Sequence, residues 1–521
     1  WTSTKSTLPR PASDVPNRAG HKTAAAPVLR WGLKTMKKLL MCALAAATLL
    51  AAAPKKPKLV LAVVFDQFRY DYLTRFRSEY HGAFDRLLTK GAVFTNANYD
   101  HFPTVTAIGH STFLSGALPS ISGIVGNEWY DREEQLQVTS VTDAATKLVG
   151  GLGGPGSSPK RLLVSTIGDE LKIADGGKSH VIGISLKDRA AILPSGHMAD
   201  AAYWFDGASG NFVSSSYYFD DVPAWVKTFN DARPADRFAG AKWLDHVMPR
   251  DPAKLYQGIP ASPFGNELIE AFAERALDAG QLGRHEAPDL LAVSFSSNDY
   301  IGHAYGPDSP EVHDISIRSD QLLQKLFQAI DRQVGLDNVL VVMTADHGVA
   351  PAPEVNAARR MPGGRAPANL IPDTVQKALR AQYGNIDWIT SSTDGDVYLN
   401  WELIKLKKLD LAEVSRTAAD ALRDLPQVFR VYTRDQLMHG AVVQDPVSRR
   451  IMHGYNAARG ADLEVILNPY WLFGATRASH STPFSYDTHV PVIFMGAGIK
   501  PGRYDISIVP NDIAPTLATI L

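Results

Sequence analysis

Ten side chains in this sequence have types and spacings suited to hydrolytic chemistry. Asp66, Asp299 with His303, Asp346 with His347, and His489 supply carboxylate oxygens and imidazole nitrogens, and no thiolate stands among them. Such oxygen and nitrogen donors suit divalent cations. Thr106 closes the turn Phe102-Pro103-Thr104-Val105-Thr106 and offers a hydroxyl nucleophile. Asn127, Lys187 and Arg189 can bind an anion, one through an amide and two through charge. Two metal ions, a hydroxyl and a set of anion binders are the equipment for moving a phosphoryl group.

The spacing sharpens some of these assignments. Asp299 and His303 are four apart, so a helix puts both on one face. Asp346-His347-Gly348 follows an apolar run, and two ionisable residues in succession there have little packing purpose. Thr106 opens a stretch that reads as a short helix stopped by Gly116, which places its hydroxyl where free N–H groups favour anions. Lys187 and Arg189, two apart after a strand, point the same way if the chain there is extended. Two sites of three protein ligands follow: Asp66, Asp346 and His347 in one, Asp299, His303 and His489 in the other. Taken singly, each residue also has a plain structural reading: a Thr N-cap, an Asn turn, a solvated charge pair, a core histidine before Val490-Pro491-Val492.

The elements that must position these residues are visible as hydrophobic runs. Leu59 to Phe65, Val181 to Ser185, Leu290 to Phe295 and Val339 to Met343 lack alternation, as strands covered on both faces do, and each is followed by a candidate residue. Helical patterns at Tyr70 to Leu88, Pro159 to Ala174 and Ile315 to Val334 lie between them. The expectation is an α/β fold, a mostly parallel central sheet with helices on both faces, whose ligands gather at the carboxyl ends of the strands. Residues 372–467 carry no candidate ligand and read as a smaller α+β insertion. The catalytic domain then runs over 54–521. Gly176-Gly177-Lys178-Ser179 has Lys172 where a phosphate loop needs its first Gly, and is a turn.

The chain has 521 residues, 45% of them hydrophobic and 21% charged, enough for a large core. Residues 1–53 hold eight basic residues against Asp14 alone, so the remaining 45 basic and 53 acidic residues leave the rest near −8. That balance argues against a nucleic-acid-binding module. Met36-Lys37-Lys38 followed by the apolar stretch Leu39 to Ala53 reads as an export signal, with translation starting at Met36 and residues 1–35 upstream of it. The run is shorter than the ~20 residues that span a bilayer, so no stable membrane span is expected once it is removed. Cys42, the single cysteine, falls inside it, leaving no thiol chemistry in the mature chain. The expected location is the periplasm or the exterior of a bacterium.

In order along the chain, Asp66, Phe102 to Thr106, Gly123 to Asn127, Ser185 to Arg189, Asp299 with His303, Asp346 to Gly348 and Tyr486 to Pro491 resemble the motifs of the alkaline phosphatase superfamily. The resemblance is strongest to its threonine-nucleophile bacterial alkaline phosphatases, related to nucleotide pyrophosphatase/phosphodiesterases, and covers about 57–521. It implies two Zn ions, one on Asp66, Thr106, Asp346 and His347, the other on Asp299, His303 and His489, with room for Ca or another divalent ion besides. It implies a phosphothreonine formed on Thr106, with Asn127, Lys187 and Arg189 holding phosphoryl oxygens. The Lys-x-Arg element resembles the monoesterases, so small phosphate monoesters are the expected substrates. A phosphodiesterase or nucleotide pyrophosphatase is the alternative, and a catalytically inactive phosphate- or metal-binding protein the remote one.

Overall fold

The computed structural model describes residues 56–521 apart from Asp394. The expected leader and export signal, with Met36 and Cys42, lie outside the described residues. Among those described, an 11-stranded sheet carries the fold. In chain order its strands are β1 (Leu59–Phe65), β2 (Ala92–Ala97), β3 (Thr142–Val149), β4 (Pro155–Ser157), β5 (Val181–Ser185), β6 (Ala201–Asp206), β7 (Asn211–Ser215), β8 (Asp289–Phe295), β9 (Val339–Thr344), β10 (Val492–Gly496) and β11 (Gly502–Ile508). They lie in the order β11-β2-β10-β9-β1-β8-β5-β6-β7-β3-β4.

The centre of the sheet, β9-β1-β8-β5-β6, is parallel throughout. Antiparallel pairs begin at β10 on one side and at β7 on the other, so the sheet is mixed rather than parallel from edge to edge. The apolar runs explain the difference. β1, β8 and β9 are buried at every position, whereas the flanking β3, antiparallel to both its neighbours, is half open to solvent, a state antiparallel strands tolerate.

Side chains of β1 alternate between two cores. Leu59, Leu61, Val63 and Phe65 pack on one face with the helices Pro263–Ala279 and Pro310–Gln333, while Val60, Ala62 and Val64 pack on the other with Phe113, Leu114 and Leu517. Burying both faces fixes strand register, because a slip of one residue would exchange the two sets. Every residue that follows a central strand is thereby placed at the same edge of the sheet.

Between residues 370 and 467 a separate four-stranded antiparallel sheet forms, made of Ile389–Thr393, Asp396–Leu399, Leu463–Leu467 and Val428–Thr433 in that order. Helices Leu370–Tyr383 and Leu411–Arg423 cover it around Trp388, Val414 and Leu422. Asp462 ties this unit together, accepting from the Leu399 N–H, Trp401 Nε1 and Arg132.

Candidate active site

Four segments leave the carboxyl ends of β1, β5, β8 and β9, and each carries a residue singled out by sequence. Asp66 follows β1, Lys187 follows β5, Asp299 lies just beyond β8 and Asp346 just beyond β9. Lys187 brings them together: its Nζ lies 2.7 Å from Asp299 Oδ2, 3.0 Å from Asp66 Oδ2 and 3.5 Å from Thr106 Oγ1. One ammonium thus touches two carboxylates and the hydroxyl, in a place almost closed to solvent.

Thr106 opens helix α1 (Thr106–Ser115), which ends at Gly116 in the left-handed conformation, as its sequence implied. No side chain of Val105 caps the helix; instead Asn127 Oδ1 accepts the Ala107 N–H at 2.9 Å. The amide oxygen of Asn127 is therefore committed, and its NH2 remains to donate. Gly109 lets α1 run against the Asp346 backbone, since a Cβ there would sit 2.6 Å from Asp346 Cα.

Two groups of donors emerge. In the first, Asp299, His303 and His480 have donor atoms within 4.8 Å of one another. Helix α3 (Ser297–Tyr305) puts Asp299 and His303 on one face, as the spacing of four requires. His303 Nδ1 bonds the Ala478 carbonyl and His480 Nδ1 the Thr104 carbonyl, so both Nε2 atoms carry lone pairs, and these lie 3.2 Å apart. Two lone pairs this close repel unless a cation or proton sits between them. Burial and the neighbouring His347 and His303 push His480 well below the usual imidazole range, whereas at His303 burial is outweighed by Asp299, which raises it, so a proton between the two rings belongs to His303 and a cation would take its place.

The second group is Asp66, His110 and Asp346, all fully buried. His347 adjoins it, its Nε2 3.3 Å from Asp346 Oδ2 and its Nδ1 held by the Gly348 carbonyl. Neither His347 Nε2 nor Asp346 Oδ2 has a hydrogen-bond partner, a costly state for buried polar atoms. Burial lowers the His347 pKa to about 4, keeping the ring neutral. His110 Nε2 and the Ser294 hydroxyl both reach Asp66 Oδ1, at 3.2 and 2.6 Å. A neutral imidazole backed by a carbonyl, beside an unpartnered carboxylate oxygen, is what a divalent cation site requires.

The carboxylates are held apart electrostatically. Burial opposes the charge of Asp66, but Lys187 and His110 overcome it and keep the acid ionised well below the usual carboxylate range. Burial likewise opposes the charge of Asp299, and Lys187 with His303 reverses the balance. Asp346 is driven the other way, upward, by burial and by the nearby charge of Asp66.

One expected ligand is elsewhere. His489 caps a short helix, donates from Nε2 to the Thr95 carbonyl at 2.9 Å and stacks on Tyr70 with ring centroids 4.6 Å apart. His480, not His489, stands beside Asp299 and His303. The reason lies in distant partners: His489 forms an isolated bridge with Asn98 beside β2, whereas the Thr104 carbonyl holds His480 through its Nδ1. Lys187 and Arg189 also differ from the extended reading. Helix α2 (Asp188–Ser195) begins directly after Lys187, so Lys187 points into the centre while Arg189 is partly exposed, its Nε unpartnered.

Sequence reasoning passed over His110, His480, Ser294 and Gln67. His110 had a signal, since it lies four residues after Thr106 on one helix face. His480 had none, for no strand or motif announces it.

The sequence pattern of the family described as type I phosphodiesterase / nucleotide pyrophosphatase matches residues 60–489. The alkaline phosphatase PafA of Elizabethkingia meningoseptica is 35% identical, over 94% of this chain and 96% of its own length. The alkaline phosphatase PhoV of Synechococcus elongatus is 36% identical, over 89% of this chain and 90% of its own. A crystal structure of PafA superposes with a TM-score of 0.84 at 34% identity, covering 90% of this chain and 96% of that one. With the donor groups and hydroxyl at the strand ends, these likenesses show that the chain belongs to the type I phosphodiesterase / nucleotide pyrophosphatase family, within which it is an alkaline phosphatase.

Proposed function

We propose that this phosphatase hydrolyses phosphate monoesters in two steps through a phosphothreonine on Thr106, with two zinc ions as its cofactors. The observation that carries the reading is the position of Lys187 Nζ, within 3.5 Å of Thr106 Oγ1 and of a carboxylate from each donor group. Nucleophile and both groups therefore share one small space. Asp66, Asp346 and His347 would hold one ion, beside the Thr106 hydroxyl, and Asp299, His303 and His480 the other. Such ions supply Lewis-acid charge that favours a deprotonated hydroxyl and offsets negative charge on the departing oxygen.

The residues of the chain supply the rest. Thr106 Oγ attacks phosphorus in line as the bond from phosphorus to the ester oxygen breaks, and the alcohol leaves. Water then attacks the phosphothreonine from the vacated side, the bond to Oγ breaks, and inorganic phosphate leaves with Thr106 restored. Asn127, its oxygen already bound to Ala107, orients an amide donor toward a phosphoryl oxygen. His110 and Ser294 fix the outer oxygen of Asp66 and so aim the inner one. Lys187 and Arg189 match the second negative charge that distinguishes a monoester from a diester.

Thr106→Ala should abolish the phosphoenzyme and nearly all turnover, while wild-type rates in that variant would remove Thr106 from the nucleophile's role. Replacing Lys187 and Arg189 together by Ala should cost an aryl phosphate far more than its bis-aryl diester. Equal losses on both substrates would favour the phosphodiesterase reading instead. Export to the periplasm or exterior is part of the proposal, resting on the signal-like stretch 36–53; among the described residues no helix is long and apolar enough to cross a membrane.

A further inference from the structure

Gln67 follows Asp66 with a left-handed backbone, φ 56°, and is 2% exposed. A non-glycine residue pays of order 1 kcal/mol for that conformation, and such outliers persist where the surroundings hold them. Here the surroundings are two carboxylates. The Gln67 N–H donates to Asp346 Oδ1 at 2.9 Å, and its side-chain Nε2 donates to Asp299 Oδ1 at 2.7 Å. Asp346 belongs to one donor group and Asp299 to the other.

Gly302 makes room for this bridge. It lies between Asp299 and His303 on α3, and a Cβ there would overlap Gln67 Oε1 and lie 2.8 Å from Gln67 Cδ. The helix that presents one donor group thus lacks a side chain where the amide must pass.

We propose that Gln67 is a positioning residue that sets the spacing of the two donor groups by holding one carboxylate of each. The inference rests on the two-cation reading above. Its two halves are separable: the backbone half survives any side-chain change, so loss of the amide loosens the Asp299, His303 and His480 group alone.

The test is a zinc titration of metal-free protein against a chromophoric chelator, with bound zinc counted by elemental analysis. Wild type should show two sites, and His480→Ala identifies which transition belongs to the Asp299 group. Gln67→Asn, which tolerates a positive φ but is one methylene too short, should weaken that transition about 10–100-fold and leave the other within about threefold. Gly302→Ala should do the same with Gln67 still present, because it displaces the amide. In the double variant the Gly302 change should add little, since the group it disturbs has gone. Equal weakening of both sites, no weakening, or additive effects in the double variant would each overturn the proposal. Fewer than two sites in wild type would instead overturn the two-cation reading. Circular dichroism of each metal-free variant separates these results from failure to fold.

Discussion

Gly109→Ala tests the close approach of α1 to Asp346. The added methyl would sit 2.6 Å from Asp346 Cα and 2.7 Å from Asp346 Cβ, with the carbonyl oxygen nearer still, whereas ordinary contact begins at 3.4 Å. Asp346 cannot yield easily, because the N–H groups of Gln67 and His347 both hold its Oδ1 at 2.9 Å. The helix must therefore retreat by about 1 Å, carrying Thr106 with it. Overpacking of this kind costs about 1–3 kcal/mol, and exchanging Gly for Ala in a helix returns about 0.5–1 kcal/mol. The net loss is small enough for a domain of this size to stay folded. A displacement of about 1 Å at a nucleophile, by contrast, costs on the order of 100-fold in rate. The expected outcome is a folded protein, with a melting temperature a few degrees lower, whose kcat on an aryl phosphate falls about 100-fold. A variant with kcat within threefold of wild type would show that α1 does not set the position of Thr106.

Two histidines close in sequence should behave differently. His480→Ala should lose one equivalent of metal and most activity, while His489→Ala should keep both and lose about 1 kcal/mol from its hydrogen bond to Thr95 and its stack on Tyr70; metal analysis beside chemical denaturation distinguishes them. Asp462→Ala leaves the Leu399 N–H, Trp401 Nε1 and Arg132 without their acceptor, and should destabilise the 370–467 unit by about 3 kcal/mol or more, read as early proteolysis within it. Glu270 lies on the helix Pro263–Ala279, where burial and the neighbouring Glu274 raise its pKa to about 7. The folded state therefore binds a proton that the unfolded state releases between about pH 4.5 and 7, so this group's contribution is full below that window and is lost as pH rises through it. Glu270→Gln should remove the slope and leave the variant about 1–2 kcal/mol more stable than wild type above pH 7, measured by denaturation at several pH values.

The parts of this molecule that sequence displays are those set by burial. β1, β8 and β9 are continuous apolar runs because both faces of the sheet are covered, and a carboxylate directly after such a run has no packing reason to be there. Asp299 and His303 are legible for a different reason, the period of the helix that carries them. Patterns fail where position depends on contacts between distant segments. His480 owes its place to the carbonyl of Thr104 and the ring of His347, stacked at 3.6 Å, neither of which is near it in sequence. Gln67 looks like any polar residue after a strand until its backbone angle is known. The helical stretch expected over Tyr70 to Leu88 breaks into Tyr70–Arg75, a 3-10 turn and Ala83–Lys90, because Asp320 captures the N–H groups of His81, Gly82 and Phe84.

The order in which the donors occur along the chain has a consequence for biosynthesis. Asp66 leaves the ribosome early, Asp299 and Asp346 in the middle, and His480 only after the whole 370–467 unit. A polypeptide that ends before residue 480 therefore presents the carboxylates Asp66, Asp299 and Asp346 but lacks the second imidazole of the Asp299 cluster. The last donor to be made is thus the one on which closure of that cluster depends.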